Sequence, residues 1–242
     1  MDIHKRSSFI HHNQSALTES IKEIVFGAED GMVSTLGALT GIAAGTENGS
    51  IVLLAGVVIV CVESISMGVG SYLSSKSSKQ LEERMLDEER TELREMPREE
   101  EIELADMYRK DGWPADLSGQ MAAAASKSGK LFLKEMAYRE LRVIPDALGN
   151  PFRDGLIMFI SYVAGGSIPV LPYLFFHVSL AFPISIGITL SGLFMLGVFT
   201  TRFTKQRWLK AGLEMFLLAS TAAGIGFIVG RIADSFISLP NL

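Results

Sequence analysis

A chain of 242 residues that is 48% apolar, with 22 Lys and Arg against 27 Asp and Glu and a formal charge of −5, has a positive mean hydropathy that sets it apart from an ordinary soluble domain. Its cations form no basic stripe interleaved with aromatics, so a nucleic-acid partner is set aside. The one cysteine, Cys61, excludes a disulfide framework and, lying in an apolar stretch, reads as a small buried apolar residue.

The arm over residues 1–20 is polar and contains no short apolar stretch ending in a cleavage site, so no signal peptide is read there and the first span is expected to be retained. A helix needs about 20 mostly apolar residues to cross a bilayer, because each adds about 1.5 Å. Windows near 21–45, 51–73, 156–176, 182–203 and 213–236 meet that length. The sequence therefore predicts an all-α membrane protein with five transmembrane helices. The first window is the least apolar, since Glu23, Glu29 and Asp30 lie in its front half. Gly37, Gly41 and Gly45 in the first window, and Gly226 and Gly230 in the fifth, recur every fourth residue and predict bare faces for close helix contact. In the third, Pro169 and Pro172 follow Gly165-Gly166 and predict a bend whose freed carbonyls need partners from neighbouring helices or a cavity.

Between the second and third windows, residues 76–151 concentrate the acids and read as helices joined by short turns: one to about 95, a second starting at Pro97, a turn at Asp111-Gly112-Trp113-Pro114 and a third stretch from about 117. Lys5, Arg6 and Lys22 before the first span, and Arg202, Lys205, Arg207 and Lys210 between the fourth and fifth, contrast with cation-free connections at 46–50 and 177–180. This asymmetry puts the N-terminus and the inserted domain on the cytoplasmic side and the C-terminus outside or in a lumen.

Between Glu82 and Glu103 stand eleven acids and four arginines. One reading is a solvated helix face laced with i,i+4 pairs. Another follows from spacing: Glu89 and Glu92 on one helix, and Glu100 and Glu103 on the next, flank the corner at Met96-Pro97, and residues three apart share a face. Four carboxylates so aimed repel one another and suit a hard or borderline divalent ion such as Mn²⁺ or Fe²⁺, with Met136 and Glu140 as further donors. At membrane depth lie Asp30, followed by Gly31, and Glu63, one turn before Met67. Acids there by default face a cavity and serve an ion or proton path, the alternative being a paired or interfacial carboxylate.

These residues carry a resemblance. Ala28-Glu29-Asp30-Gly31, the run Ser64-Ile65-Ser66-Met67-Gly68-Val69-Gly70-Ser71-Tyr72-Leu73, the glutamate pairs around Met96-Pro97, and Gly165-Gly166-Ser167-Ile168-Pro169-Val170-Leu171-Pro172-Tyr173 make the chain similar to the vacuolar iron transporter family. The resemblance implies export of Fe²⁺, often Mn²⁺, from the cytosol by proton antiport, with no permanently bound cofactor, by a homodimer in the membrane of a vacuole-type organelle or a prokaryotic cell. It further implies that Asp30 and Met67, with Glu63, line the path. Glu19, Glu89, Glu92, Glu100, Glu103, Met136 and Glu140 would bind metal. Two departures stand out: Met136-Ala137 replaces an expected methionine pair, and Glu63 occupies a position expected to be small.

Two other functions compete. A carboxylate di-iron oxidase would use Glu-x-x-His pairs, but His4, His11, His12 and His177 all lie outside the inserted domain. A non-transporting scaffold would use the charged helices to hold a partner protein.

Overall fold

The computed structural model describes residues 20–46, 48–145 and 149–237, and among them every regular element is helical. The helices are α1 (Ile21–Gly45), α2 (Gly49–Glu95), α3 (Pro97–Lys110), α4 (Ala115–Ala125), α5 (Gly129–Met136), α6 (Pro151–Val170), α7 (Pro172–Phe175), α8 (Val178–Thr204) and α9 (Trp208–Ile237). A π turn, Ala137–Leu141, continues α5. The chain forms two compact units, one of residues 1–72 with 152–242 and one of residues 73–151. The second predicted span and the first predicted helix of the insert are one unbroken helix, α2, of 47 residues. No glycine or proline interrupts it between Gly70 and Glu95.

In the first unit, α2, α8 and α9 are long and apolar enough to cross a membrane by themselves. The windows expected as the first and third spans also fold as helices, α1 and α6, of 25 and 20 residues. Neither meets that test alone: α1 carries Lys22, Glu23, Glu29 and Asp30, and α6 opens on Arg153 and Asp154, leaving fewer than about 20 apolar residues before its end.

Glycines let α1 lie directly against its neighbours. A Cβ at Gly31 would come 2.8 Å from the Gly166 amide nitrogen, and one at Gly27 would come 2.9 Å from the Met158 carbonyl oxygen, so the front half of α1 rests on α6. In its back half, Gly37 and Gly41 meet Gly226 and Gly230 of α9, where a Cβ at Gly226 or Gly230 would overlap the carbonyl oxygen of Gly37 or Gly41. Gly45 is exposed. Leu39, Val52, Val60, Val170, Tyr173 and Ala181 bring α1, α2, α6, α7 and α8 into one apolar cluster.

The glycine-proline stretch, expected to bend, keeps helical backbone at Leu171 between α6 and α7. Helix α6 runs through Pro169 to Val170, α7 adds one turn from Pro172, and Ser185 Oγ of α8 donates to the Pro169 carbonyl at 2.7 Å. A neighbouring helix thus supplies a donor to one backbone carbonyl next to the prolines. Cys61, expected to be buried, is exposed on this chain. It lies on the flank of α2 that also exposes Val57, Val58, Val62, Ile65 and Val69, away from the buried stripe of Val52, Val60 and Ser64.

In the second unit, α3, α4 and α5 close on Leu104, Ala105, Tyr108, Ala122, Ala125, Phe132 and Met136, with Leu93 of α2 packed against them. Leu86 of α2 packs with Ala137 and Val143 in a smaller cluster beside the π turn.

Candidate metal centre

Three carboxylates converge in the second unit. Glu89 of α2, Glu100 of α3 and Glu140 of the π turn each offer an oxygen, and the three atoms lie within 4.8 Å of one another. Local sequence explains why. Glu89 sits three residues after Leu86 and four before Leu93, on the apolar stripe of α2. Glu100 is four residues before the fully buried Leu104, on the inner face of α3. Glu140 lies four residues after the equally buried Met136, in the wider π turn. That turn closes when the Val143 amide donates to the Ala137 carbonyl at 2.9 Å and Arg142 takes a left-handed backbone, φ 55°. Single π turns often accompany functional sites, because the extra residue re-aims a side chain.

The electrostatics of this cluster are unfavourable when all three carboxyls are ionised and no cation is present. Glu89 is 2% exposed and Glu100 6% exposed. Burial, and then the charges of Glu140, Glu100 and Glu92, push the Glu89 carboxyl up to about 8. Glu100 and Glu140 are also raised, first by burial and then by Glu103 and other acids. Glu89 Oε1 is buried and accepts no hydrogen bond. A carboxylate oxygen so placed is stabilised by a proton or a divalent ion, and oxygen donors suit hard or borderline ions.

Not every expected residue joins the three. Glu92 and Glu103 are exposed and act on the cluster through their charge. Met136 is fully buried in the apolar core. Glu19 lies outside the described residues. In the first unit Asp30 is half-buried, Met67 is half-buried and Glu63 is exposed. Asp30 and Glu63, from α1 and α2, are close enough for their charges to interact.

Sequence spacing missed two features. Tyr162 of α6 is fully buried, its hydroxyl 2.6 Å from Ser34 Oγ and within the field of Asp30 and Glu63. No local pattern marks it, because its partners lie on α1 and α2. The other is a brace behind Glu140. Tyr108 donates to Glu135 Oε2 at 2.9 Å, Arg139 Nε donates to the same oxygen at 3.2 Å, and the Arg139 guanidinium covers the Tyr108 ring at 4.2 Å while pairing with Asp111. The i,i+4 spacing of Glu135 and Arg139 was the available signal.

The sequence profile described as the VIT family matches residues 21–231. The chain is 28% identical to "Vacuolar iron transporter 1" of Arabidopsis thaliana over 95% of this chain and 93% of that protein. It is 28% identical to the Eucalyptus grandis protein of the same name over 97% of this chain and 92% of that protein. It is 26% identical to "Vacuolar iron transporter" of Plasmodium falciparum over 93% of this chain and 86% of that protein.

Proposed function

The chain belongs to the VIT family, a family of metal transporters, and on that premise we propose that it moves Fe²⁺, and also Mn²⁺, out of the cytosol in exchange for protons. The observation that carries this reading is the cluster of Glu89, Glu100 and Glu140 around the unpartnered Glu89 oxygen. Cytosolic metal is gathered by these carboxylates, with Glu92 and Glu103 adding negative potential that draws cations in. It then passes to Asp30 and Met67. Protons arriving from the far side compete for the same oxygens, at Asp30 and Glu63, and favour release.

In this reading α1, α2, α6 with α7, α8 and α9 are five spans, with the N-terminus and the insert cytoplasmic and the C-terminus outside or in the lumen. The acids of α1 are tolerated at membrane depth because they serve the path. The working unit is a homodimer. Glu63 is exposed on a flank of α2 that otherwise shows Val58, Val62 and Ile65, and a carboxylate facing lipid is costly, so a second copy covers it. The membrane is vacuole-type in a eukaryote and the plasma membrane in a prokaryote.

The test is uptake of Fe²⁺ or Mn²⁺ into proteoliposomes under an imposed pH gradient. Uptake should need the gradient and be lost in Asp30→Ala. Transport indifferent to the gradient would sink proton exchange, and full activity of Asp30→Ala would sink the assigned path.

A further inference from the structure

Beside the carboxylates, the second unit holds a cleft of about 610 Å³ that no step above uses. Lys110 and Asp111, from the end of α3, form one wall; Arg139, Glu140 and Arg142, from the π turn and its exit, form the other. Three of these five groups are cationic in a unit whose helices are otherwise rich in acid. Arg139 and Asp111 pair with each other, whereas Lys110 and Arg142 take part in no ion pair among the described residues. Arg142 occupies a left-handed backbone, φ 55°, ψ 31°, where glycine or asparagine would sit without strain. Glu140 belongs both to this cleft and to the three-carboxylate cluster, so whatever occupies the cleft abuts the metal centre.

We propose that this cleft binds a small polycarboxylate or phosphate-bearing anion, and binds it best as the complex of that anion with a divalent cation. Lys110 and Arg142 hold the anion through charge-assisted hydrogen bonds, and Arg139, fixed by Asp111 and Glu135, neutralises the Asp111 carboxylate that would otherwise repel the anion. Glu140 takes a coordination position on the metal. The two sites therefore assist each other: a cation on Glu140 cancels the charge that repels the anion, and the anion strengthens the field that holds the cation. Such coupling is reciprocal by linkage. The coupled half of the proposal rests on the metal reading of the cluster; the anion cleft does not.

The experiment is calorimetric titration of the full chain in neutral-lipid nanodiscs with citrate, with Mn²⁺ and with the preformed Mn²⁺–citrate complex, blank discs supplying the chelation correction. Citrate alone should bind the unmodified chain at least about tenfold more tightly than the Lys110→Gln/Arg142→Gly double variant, the loss expected from two charge-assisted contacts. That variant keeps its fold, because glycine suits the position 142 backbone, and it should bind Mn²⁺ alone as the unmodified chain does. The complex should bind the unmodified chain several-fold more tightly than citrate alone, and Glu140→Gln should abolish that gain. Equal citrate affinity in the unmodified chain and the double variant would overturn the cleft. Citrate binding that disappears in discs containing phosphatidylglycerol would assign the cleft to a lipid headgroup and overturn the soluble anion. Absence of Mn²⁺ binding with citrate binding intact would overturn the metal reading and the coupled half, leaving the cleft standing.

Discussion

The two units solve opposite packing problems. In the first, helices approach by having nothing between them: Gly37 and Gly41 lie against Gly226 and Gly230, and Gly31 lies against Gly166, so backbone meets backbone. In the second, an apolar core of ordinary side chains is built around Glu89 and Glu100, two buried acids that repel each other and Glu140. Missing side chains specify the first arrangement. The second accepts an electrostatic penalty at one point, as binding sites do when the ligand is meant to relieve it. Both lessons are local, and each can be broken by one substitution.

The largest effect is expected in the glycine seam. A Cβ at Gly226 would overlap the Gly37 carbonyl oxygen, and backbone cannot step aside as the end of a side chain can. Gly226→Val should therefore destabilise the first unit by about 3 kcal/mol, read as a fall in the thermal midpoint in detergent. The contrast is Gly119 in α4, whose Cβ would meet nothing within 4 Å. Gly119→Ala should be stabilising by about 0.5–1 kcal/mol through helix propensity alone. Equal effects at the two sites would mean that backbone contact does not set the tolerance of the seam.

Next in size is Glu89→Gln. Loss of one buried carboxylate from the cluster should weaken Mn²⁺ binding by about 100-fold or more, equivalent to about 2.7 kcal/mol. The same change should stabilise the metal-free protein at pH 8, because it removes the most strongly repelled charge. A variant that bound metal normally would show that Glu89 is not a ligand.

Much of this was legible in the sequence, and the gaps have physical reasons. The glycines of α1 and α9 announced close packing because a four-residue repeat is a local signal. The glutamates flanking Pro97 announced a carboxylate cluster for the same reason. Spacing could not tell which of them face inward: Glu89 and Glu100 share stripes with Leu86, Leu93 and Leu104, whereas Glu92 and Glu103 fall outside. Spacing also treated Met136 and Glu140 as one face, while the π turn separates a core methionine from a cluster carboxylate. Cys61 was read as buried because apolar windows do not reveal which side of a helix meets the rest of the chain. Tyr162 was invisible because its neighbours come from 128 residues away.

Smaller, and more diagnostic of mechanism, is the effect of pH. The Glu89 carboxyl is raised to about 8 in the fold from its ordinary 4.5, so between those values the folded state holds a proton that the unfolded chain has lost. The sign follows from linkage: the stability that Glu89 contributes to the metal-free protein is fully present below pH 4.5 and is lost as pH rises through 8. A divalent ion replaces that proton. Mn²⁺ affinity should therefore fall by about tenfold or more for each pH unit below 8, at least one proton being displaced per ion, and the thermal midpoint of the metal-bound protein should lose the downward slope with pH. Affinity flat between pH 8 and 6 would mean that Glu89 is not a ligand.

The smallest effect separates support from ligation. Tyr108 is 3% exposed, and its hydroxyl donates to Glu135, the residue that also anchors Arg139 one position before Glu140. Tyr108→Phe keeps the ring beneath the guanidinium and removes one buried hydrogen bond, which should cost about 1 kcal/mol of stability. Because Glu135 keeps the Arg139 Nε–H as a donor and Asp111 keeps its own pair with Arg139, the π turn should hold its shape. Mn²⁺ affinity should then change by less than about threefold, below the ~1 kcal/mol that a lost ligand contact exceeds. A drop as large as that of Glu89→Gln would mean that the brace sets the position of Glu140, and that the second unit is no more tolerant of small displacements than the glycine seam of the first.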